Sequence, residues 1–154
     1  AALPIKKTDV VKGRFATVIL FELASVLISV PFAVISAKVN PNGGNAAGIE
    51  PNLAFYGLAL IMLGGFNMIF IPEFYRTARK LFCPTLFSAI FIFAYIAAAE
   101  TAAQYYPSPV SEFLDRAGIF PEHLPILAAG IIIYAVLTFL AYKISAKRFE
   151  RVDL

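Results

Sequence analysis

Four long apolar stretches, separated by short charged segments, constrain this chain more than any other feature of its sequence. A helix needs roughly 20 apolar residues to cross the hydrocarbon layer of a bilayer, which is about 30 Å thick. Residues 15–37, 53–71, 81–99 and 124–142 meet that requirement. These runs are apolar on every side, whereas barrel strands alternate apolar and polar residues. We therefore predict an all-α integral membrane protein, in which residues 1–154 form a single membrane domain with four transmembrane helices.

The composition and the distribution of charge agree with this prediction. Hydrophobic residues make up 60% of the chain and charged residues only 15%, which is unusual for a soluble domain. Of the 13 Lys and Arg residues, all but Lys38 and Arg116 flank the same ends of the four spans. Because cytoplasmic flanks collect basic residues, we predict that both termini are cytoplasmic. The net charge of +3 then reflects membrane topology, and we expect no nucleic-acid partner.

The two outer connections differ in character. Residues 38–52 are rich in Asn and Gly, which is typical of a flexible connector. Residues 100–123 contain a capping residue, Ser108, followed by Pro109 and later by Gly118. This order is typical of a helix start and stop, so we predict a short interfacial helix in the second outer loop.

The cytoplasmic segments are short and charged. Residues 5–14 alternate apolar and basic residues, which favours a short helix lying along the inner interface before the first span. The connection 72–80 is so short that spans two and three must form an antiparallel hairpin. We expect Pro72 to end the second helix, and Glu73 to pair with Arg76 as an ordinary surface ion pair.

Few polar residues lie within the spans, and one of them, Glu22, has two interpretations. Glu22 lies eight residues beyond Arg14, roughly 12 Å further along a helix and therefore in hydrocarbon. An ionisable group at that depth is a functional candidate by default, although it could equally hold helices together by hydrogen bonds. Asn67 is expected to bond across a helix interface, and Glu100, at the outer end of span three, can reach water.

Prolines and small residues predict details of helix packing. Pro31 and Pro84 each remove a backbone donor and are expected to kink or loosen their helices. Small residues are expected to form packing surfaces in spans two, three and four: Gly64, Gly65, Ala94, Ala98, Ala102, Ala128, Ala129 and Gly130.

Catalytic chemistry is poorly supported by the sequence. The single histidine, His123, lies at an outer boundary, and the single cysteine, Cys83, is expected to be a reduced, packed thiol. No phosphate-binding loop and no nucleophile with an evident base is present. We predict that the chain is not an enzyme, binds no metal and no cofactor directly, and depends on a partner for any use of ATP.

Three segments resemble bacterial permease subunits of the ABC-2 type. The opening Leu3–Phe15 is similar to that family's entry to a span, with Leu-Pro followed by basic, acidic, aliphatic and aromatic residues. Residues 70–80 are similar to the family's proline-aromatic-basic hairpin, and Tyr142–Leu154 resembles its basic, Ser-containing tail. Family members usually have six spans, and the four found in this sequence match the last four.

The resemblance implies the membrane part of an ATP-driven exporter in the bacterial cytoplasmic membrane. Two permease subunits, identical or paired, would associate, and separate ATP-binding cassette subunits would dock on the cytoplasmic face. Two sets of candidate residues follow. The docking candidates are Lys6, Lys7, Asp9 and Lys12, and the intramembrane polar candidates are Glu22, Asn67 and Glu100.

Two other classes of function stay open at this point. A non-transporting four-helix protein that assembles or regulates a larger membrane complex would explain the shortage of polar residues in the spans. A hydrophobic or amphipathic substrate would reconcile that shortage with transport. An intramembrane enzyme would require paired carboxylates or a histidine at one depth, and Glu22 and Glu100 lie near opposite faces of the membrane.

Overall fold

The computed structural model describes residues 7–39, 48–76, 80–105, 109–116, 118 and 121–150. Its helices are α1 (Lys7–Val39), α2 (Leu53–Arg76), α3 (Phe82–Gln104), α4 (Pro109–Leu114) and α5 (Leu124–Glu150), with a 3-10 turn at Pro121–His123 before α5. Four of them, α1, α2, α3 and α5, are long and apolar enough to cross a membrane. The prediction of an all-α protein with four spanning helices is confirmed, and each helix extends beyond the span predicted for it.

The long helices run antiparallel in chain order, which gives the bundle two distinct ends. At one end lie the start of α1, the end of α2, the start of α3 and the end of α5, together with most of the basic residues. We call this the basic end. The other, which we call the loop end, carries α4 and the turn before α5. The basic end is the one that the charge rule predicts to be cytoplasmic.

Helices α2 and α5 form the centre of the bundle and approach each other closely. A side-chain carbon added to Gly130 would lie 2.4 Å from the carbonyl oxygen of Gly57, and one added to Gly57 would lie 2.5 Å from that of Ile126. Real carbon atoms cannot come so near, so only glycine permits this contact. The predicted role of Gly130 in packing is thus realised between α2 and α5, and glycine also brings α3 close, since the Phe91 ring lies against Gly65.

At the basic end α1 joins the central pair through an apolar cluster. Val11 and Phe15 of α1 are buried together with Ile71 and Tyr75 of α2 and Ala141 of α5. Because these contacts hold the first turns of α1 in line with the rest, the described helix runs without interruption from Lys7. The prediction of a separate interfacial helix over residues 5–14 is wrong for its described part.

Pro72 does not end the second helix, so that prediction is wrong as well. Helix α2 continues to Arg76 because α5 stabilises its last turn. The guanidinium of Arg148 donates to the Pro72 carbonyl at 2.8 Å, and its Nη1 lies 3.6 Å from Glu73 Oε2. Glu73 pairs with Arg76 as expected, at 2.9 Å from Nε. It is nevertheless mostly enclosed, and this pairing links α2 to α5.

Pro31 and Pro84, the two prolines expected to kink or loosen their helices, both lie in continuous helices. Pro84 lies in the first turn of α3, where a backbone donor would have no partner within the helix, so it requires no kink. Helix α1 continues through Pro31 to Val39.

The loop end is more ordered than the predicted flexible connector. Within the described part of residues 38–52, the buried Asn52 side chain donates to the carbonyls of Leu114 and Arg116 at 3.0 and 3.1 Å. Its Oδ1 accepts from the Phe55 amide at 3.0 Å and so caps α2. His123 is also buried, with Nε2 at 3.1 Å from the Phe113 carbonyl. The predicted short helix is present as α4, and Ser108, its expected cap, lies outside the described residues.

Helix α3 is peripheral and exposes the alanines that the sequence marked for packing. Ala94, Ala98 and Ala102 are exposed, and α3 meets α2 through Phe91 and Tyr95. Ala128 and Ala129 are exposed on α5 as well. Of the small residues expected to form packing surfaces in spans three and four, only Gly130 is buried against another helix of the chain.

We expect Gly130→Ala to destabilise the bundle, because the new methyl group would force α2 and α5 apart. Overpacking of a well-filled core costs about 1–3 kcal/mol, and the backbone of Gly57 cannot move aside like a flexible side chain. Thermal unfolding in detergent measures the effect. The matched control is Gly13→Ala on α1, where an added carbon meets nothing within 4 Å. Equal stability of the two variants would contradict the close approach.

We also expect Asn52→Ala to weaken the loop end. The change removes three hydrogen bonds, and although the Leu114 carbonyl still accepts from the Glu50 amide at 3.1 Å, the Arg116 carbonyl and the Phe55 amide lose the Asn52 side chain. Loss of the helix cap alone costs about 0.5–2 kcal/mol. The control is Thr101→Ala, whose exposed hydroxyl bonds only to the carbonyl of Ala97 in its own helix. Hydrogen exchange at the start of α2 should increase in the first variant and stay unchanged in the second.

Candidate functional site

One face of α1 changes from apolar to polar along its length. The side chains of this face, all of them at least partly buried except Ser25, recur at intervals of three and four residues, which is the spacing of a single helix face. In chain order they are Val11, Phe15, Val18, Glu22, Ser25 and Ser29. The first two are buried in the cluster at the basic end, and Val18 packs against it. Packing of the apolar half therefore fixes the rotation of α1 and turns its polar half toward the other helices.

Glu22 lies at the centre of a hydrogen-bonded cluster formed by three helices. Its Oε2 accepts from Asn67 Nδ2 of α2 at 2.9 Å and from the Tyr134 hydroxyl of α5 at 2.7 Å. The same Asn67 amide group lies 3.3 Å from Thr138 Oγ1, one turn further along α5. Two of the intramembrane candidates, Glu22 and Asn67, are thus in direct contact, and the expected bond of Asn67 across a helix interface is present.

The close contact of α2 with α5 brings these groups together. A carbon added to Gly64 would lie 3.0 Å from Tyr134 Cα, so the absence of a side chain there lets α5 come near. Asn67 lies three residues beyond Gly64, on the same buried face of α2. Tyr134 and Thr138 are likewise one turn apart on the buried face of α5. Glycine packing and the polar cluster therefore belong to one helix interface.

The cluster presents donors to a carboxylate and no basic group. Both hydrogen bonds to Glu22 end on the same oxygen, Oε2, and both come from neutral side chains. Donors of this kind stabilise negative charge without neutralising it. Asn67 is fully buried, and no described residue donates to its Oδ1. The cluster thus combines a partly buried acid with hydrogen-bonding capacity that is only partly used.

Two cavities flank the Glu22–Asn67 contact. Toward the basic end, a cavity of about 130 Å³ is lined by Asn67 and by Arg14, whose guanidinium lies 5.0 Å from the centre of the Phe74 ring. Toward the loop end, an open groove of about 370 Å³ runs between α1 and α2 and is lined by Glu22. The hydrogen bond from Asn67 to Glu22 therefore separates a cavity at one side from a groove at the other.

The remaining candidates that the structure describes, Glu100, Asp9 and Lys12, do not join this cluster. Glu100 is exposed in the last turns of α3. At the start of α1, Asp9 and Lys12 are exposed and form a pair at 3.8 Å. Lys6 and the Lys7 side chain lie outside the described residues.

Sequence reasoning missed Tyr134 as a partner of Glu22, Thr138 as a partner of Asn67, and the hydroxyl groups that follow Glu22 along α1. A signal for the latter was available, because Ser25 and Ser29 continue the spacing of Val11, Phe15 and Val18. No comparable signal pairs residue 22 with residue 134, since the contact depends on how α1 and α5 meet. Within the described parts of the chain, no three His, Cys, Asp or Glu side chains lie close enough to hold a metal ion.

A family model described as ABC-2 family transporter protein matches residues 1–150. The chain therefore belongs to this family of membrane transporter components, as the resemblance of its three segments indicated. No curated protein and no solved structure shows significant similarity to the chain. Together with the four spanning helices, the match defines a multi-pass, permease-like membrane protein, and family membership implies pairing with an ATP-binding cassette subunit.

The cluster makes a prediction about coupled stability. Tyr134→Phe should lower the free energy of unfolding by about 1 kcal/mol, the usual range for one hydrogen bond between membrane helices. In a Glu22→Leu background the same change should cost less, because Glu22 no longer accepts from the hydroxyl and only its contact with Thr138 is left to lose. Unfolding in detergent micelles gives the four free energies of this double-mutant cycle.

Tyr95→Phe provides the matched control for that cycle. The Tyr95 hydroxyl donates to the Leu58 carbonyl at 2.9 Å, between α3 and α2 and away from Glu22. Tyr95→Phe should lower the free energy of unfolding by the same amount with and without Glu22→Leu. Additive effects of Tyr134→Phe and Glu22→Leu would contradict the hydrogen bond.

Proposed function

We propose that this chain is the membrane-spanning permease subunit of an ATP-driven exporter that moves a hydrophobic or amphipathic substrate. ATP is hydrolysed by a separate cassette subunit at the basic end. The observation that carries the proposal is the Glu22–Asn67 contact between two cavities, in a chain that belongs to the ABC-2 family. An acid at this depth is a functional candidate by default, because ionisable groups within the membrane are costly and typically functional.

The predominantly apolar helix surfaces favour a substrate that enters from the bilayer. The most apolar window of α1 contains no buried residue, and large side chains such as Leu20, Leu27 and Phe32 are at least two-thirds exposed. In a membrane these surfaces face lipid or another subunit. A substrate dissolved in the bilayer could therefore reach the groove between α1 and α2 sideways, without a continuous aqueous channel.

The proposal includes pairing with a second permease subunit and docking of the ATPase near the start of α1. Lys6, Lys7, Asp9 and Lys12 are the docking candidates, and the exposure of Asp9 and Lys12 supports their availability to a partner. It also places the protein in the bacterial cytoplasmic membrane with both termini in the cytoplasm. The collection of basic residues at one end of the bundle supports that orientation.

The first test is purification of the tagged full-length protein from its native membrane in mild detergent. We expect a stoichiometric ATP-binding cassette subunit to co-purify and to hydrolyse ATP. In vesicles containing the complex, Glu22→Gln should reduce ATP-dependent transport at unchanged complex yield. Recovery of a different integral membrane partner and no ATPase would instead support an assembly or regulatory role.

Charge reversal at the basic end tests the docking surface. Lys12→Glu, alone or combined with Lys6→Glu and Lys7→Glu, should lower recovery of the ATPase several-fold, since each change places like charge where a complementary partner is expected. The control is Lys38→Glu at the far end of the same helix. Equal recovery with the Lys12 and Lys38 variants would place the ATPase elsewhere.

Orientation is tested with single cysteines, because the chain has only Cys83. In a Cys83→Ser background, Lys38→Cys should react with a membrane-impermeant maleimide added to intact cells. Lys12→Cys should react only after the membrane is permeabilised. The reverse pattern would place both termini outside.

A further inference from the structure

The groove between α1 and α2 contains one acid and no base. Its nine lining residues include Glu22 and otherwise only apolar, aromatic and hydroxyl side chains. At about 370 Å³ it falls within the size range of small-molecule sites. A carboxylate in a largely apolar groove is costly without a cationic partner, and the groove itself supplies none.

The hydroxyl groups of the groove are oriented as acceptors. Ser25 donates to the Phe21 carbonyl at 2.8 Å, and Ser29 donates to the Val26 carbonyl at 2.7 Å. Each hydroxyl has a single proton, which these backbone bonds use, so its lone pairs are what it offers to a ligand. The Tyr56 hydroxyl lies 3.2 Å from Ser29 Oγ and belongs to the same polar line. Glu22 and Ser25, about one turn apart, suit a donor-rich group such as an ammonium, and Ser29 and Tyr56 continue the polar line further along the groove.

The walls of the groove suit an apolar body attached to that group. Phe21 and Phe55 line it and are 67% and 39% exposed, so their rings stand at its open side. Aromatic faces attract cations as well as apolar groups.

We propose that this groove binds an amphipathic cation, with one protonated amine at Glu22 and an apolar body between Phe21 and Phe55. The site names a substrate class for the transporter and rests on the proposed function for its role in export. The two neutral donors on Oε2 hold the carboxylate in place and leave its second oxygen for the ligand. Ser25, about one turn from Glu22, accepts from a remaining N–H group, whereas Ser29, about two turns away, lines the groove beside the apolar body.

Binding of a matched pair of fluorescent ligands tests the site. The first is a dansyl-labelled alkylamine, and the second is the same molecule with its amine acetylated and therefore neutral. The purified complex is placed in nanodiscs of phosphatidylcholine, and empty nanodiscs give the baseline for partition into lipid. We expect the wild-type protein to bind the amine at least tenfold more tightly than the acetylated form.

Two variants assign that preference to Glu22. Glu22→Gln should abolish the tenfold difference, whereas Glu100→Gln, which removes an exposed carboxylate of α3, should leave it intact. Ser29→Phe should weaken binding of both ligands by filling the groove without altering the hydrogen bonds of Glu22. If the melting curve shows that Glu22→Gln is unfolded, Ser29→Phe still tests whether the ligand occupies the groove.

The outcomes separate this proposal from the proposed function. Equal affinity of the wild-type protein for both ligands, a preference that survives Glu22→Gln, or unchanged binding by Ser29→Phe would each overturn the cation site. If an active ATPase co-purifies but no preference is found, only the substrate class is wrong. A preference for the amine in a protein that recruits no ATPase would overturn the transport function and leave a cation-binding site.

Discussion

The contact between α2 and α5 is the constraint on which the rest of the structure depends. Between membrane helices there is little hydrophobic driving force, so close packing and interhelical hydrogen bonds must hold them together. Gly57 and Gly130 provide the close packing, because their backbones approach so nearly that a side chain on either residue would not fit. Gly64 then sets Tyr134 and Thr138 beside Asn67, which provides the second. A wider helix pair would have no polar cluster.

That cluster explains how an acid is tolerated in the first span. Glu22 belongs to a helix whose most apolar window has no buried residue, so its own helix cannot shield it. The donors come instead from α2 and α5, which are held in place by their own packing. A carboxylate with fixed donors and incomplete neutralisation differs from a buried ion pair, because it keeps an affinity for cations. The structural and functional interpretations of Glu22 are therefore compatible, because the hydrogen bonds that join the helices also hold the carboxylate in position for the proposed cation.

The architecture was predictable from sequence because it depends on hydrophobicity and length, and the details were not because they depend on contacts between helices. Four apolar runs predict four spans whatever surrounds them. Pro72 has the local signature of a helix end, yet Arg148, 76 residues later, donates to its carbonyl and the helix continues. Residues 48–52 resemble a connector until Asn52 meets the carbonyls of Leu114 and Arg116. Glu22 and Asn67 stood out singly, whereas their meeting requires the rotation of α1 that Val11 and Phe15 determine.

Transport by alternating access requires an element with two arrangements and a site that both arrangements can reach. Helix α1 has the properties of that element, since it is anchored by an apolar cluster at the basic end and is little buried along the rest of its length. The Glu22–Asn67 bond is its polar link to α2, with a cavity on one side and an open groove on the other. A cation bound at the second oxygen of Glu22 would draw negative charge away from Oε2, which accepts from Asn67 and Tyr134. Ligand binding would then weaken the bond that separates the two spaces, so occupancy of the site and movement of α1 would be coupled through one side chain.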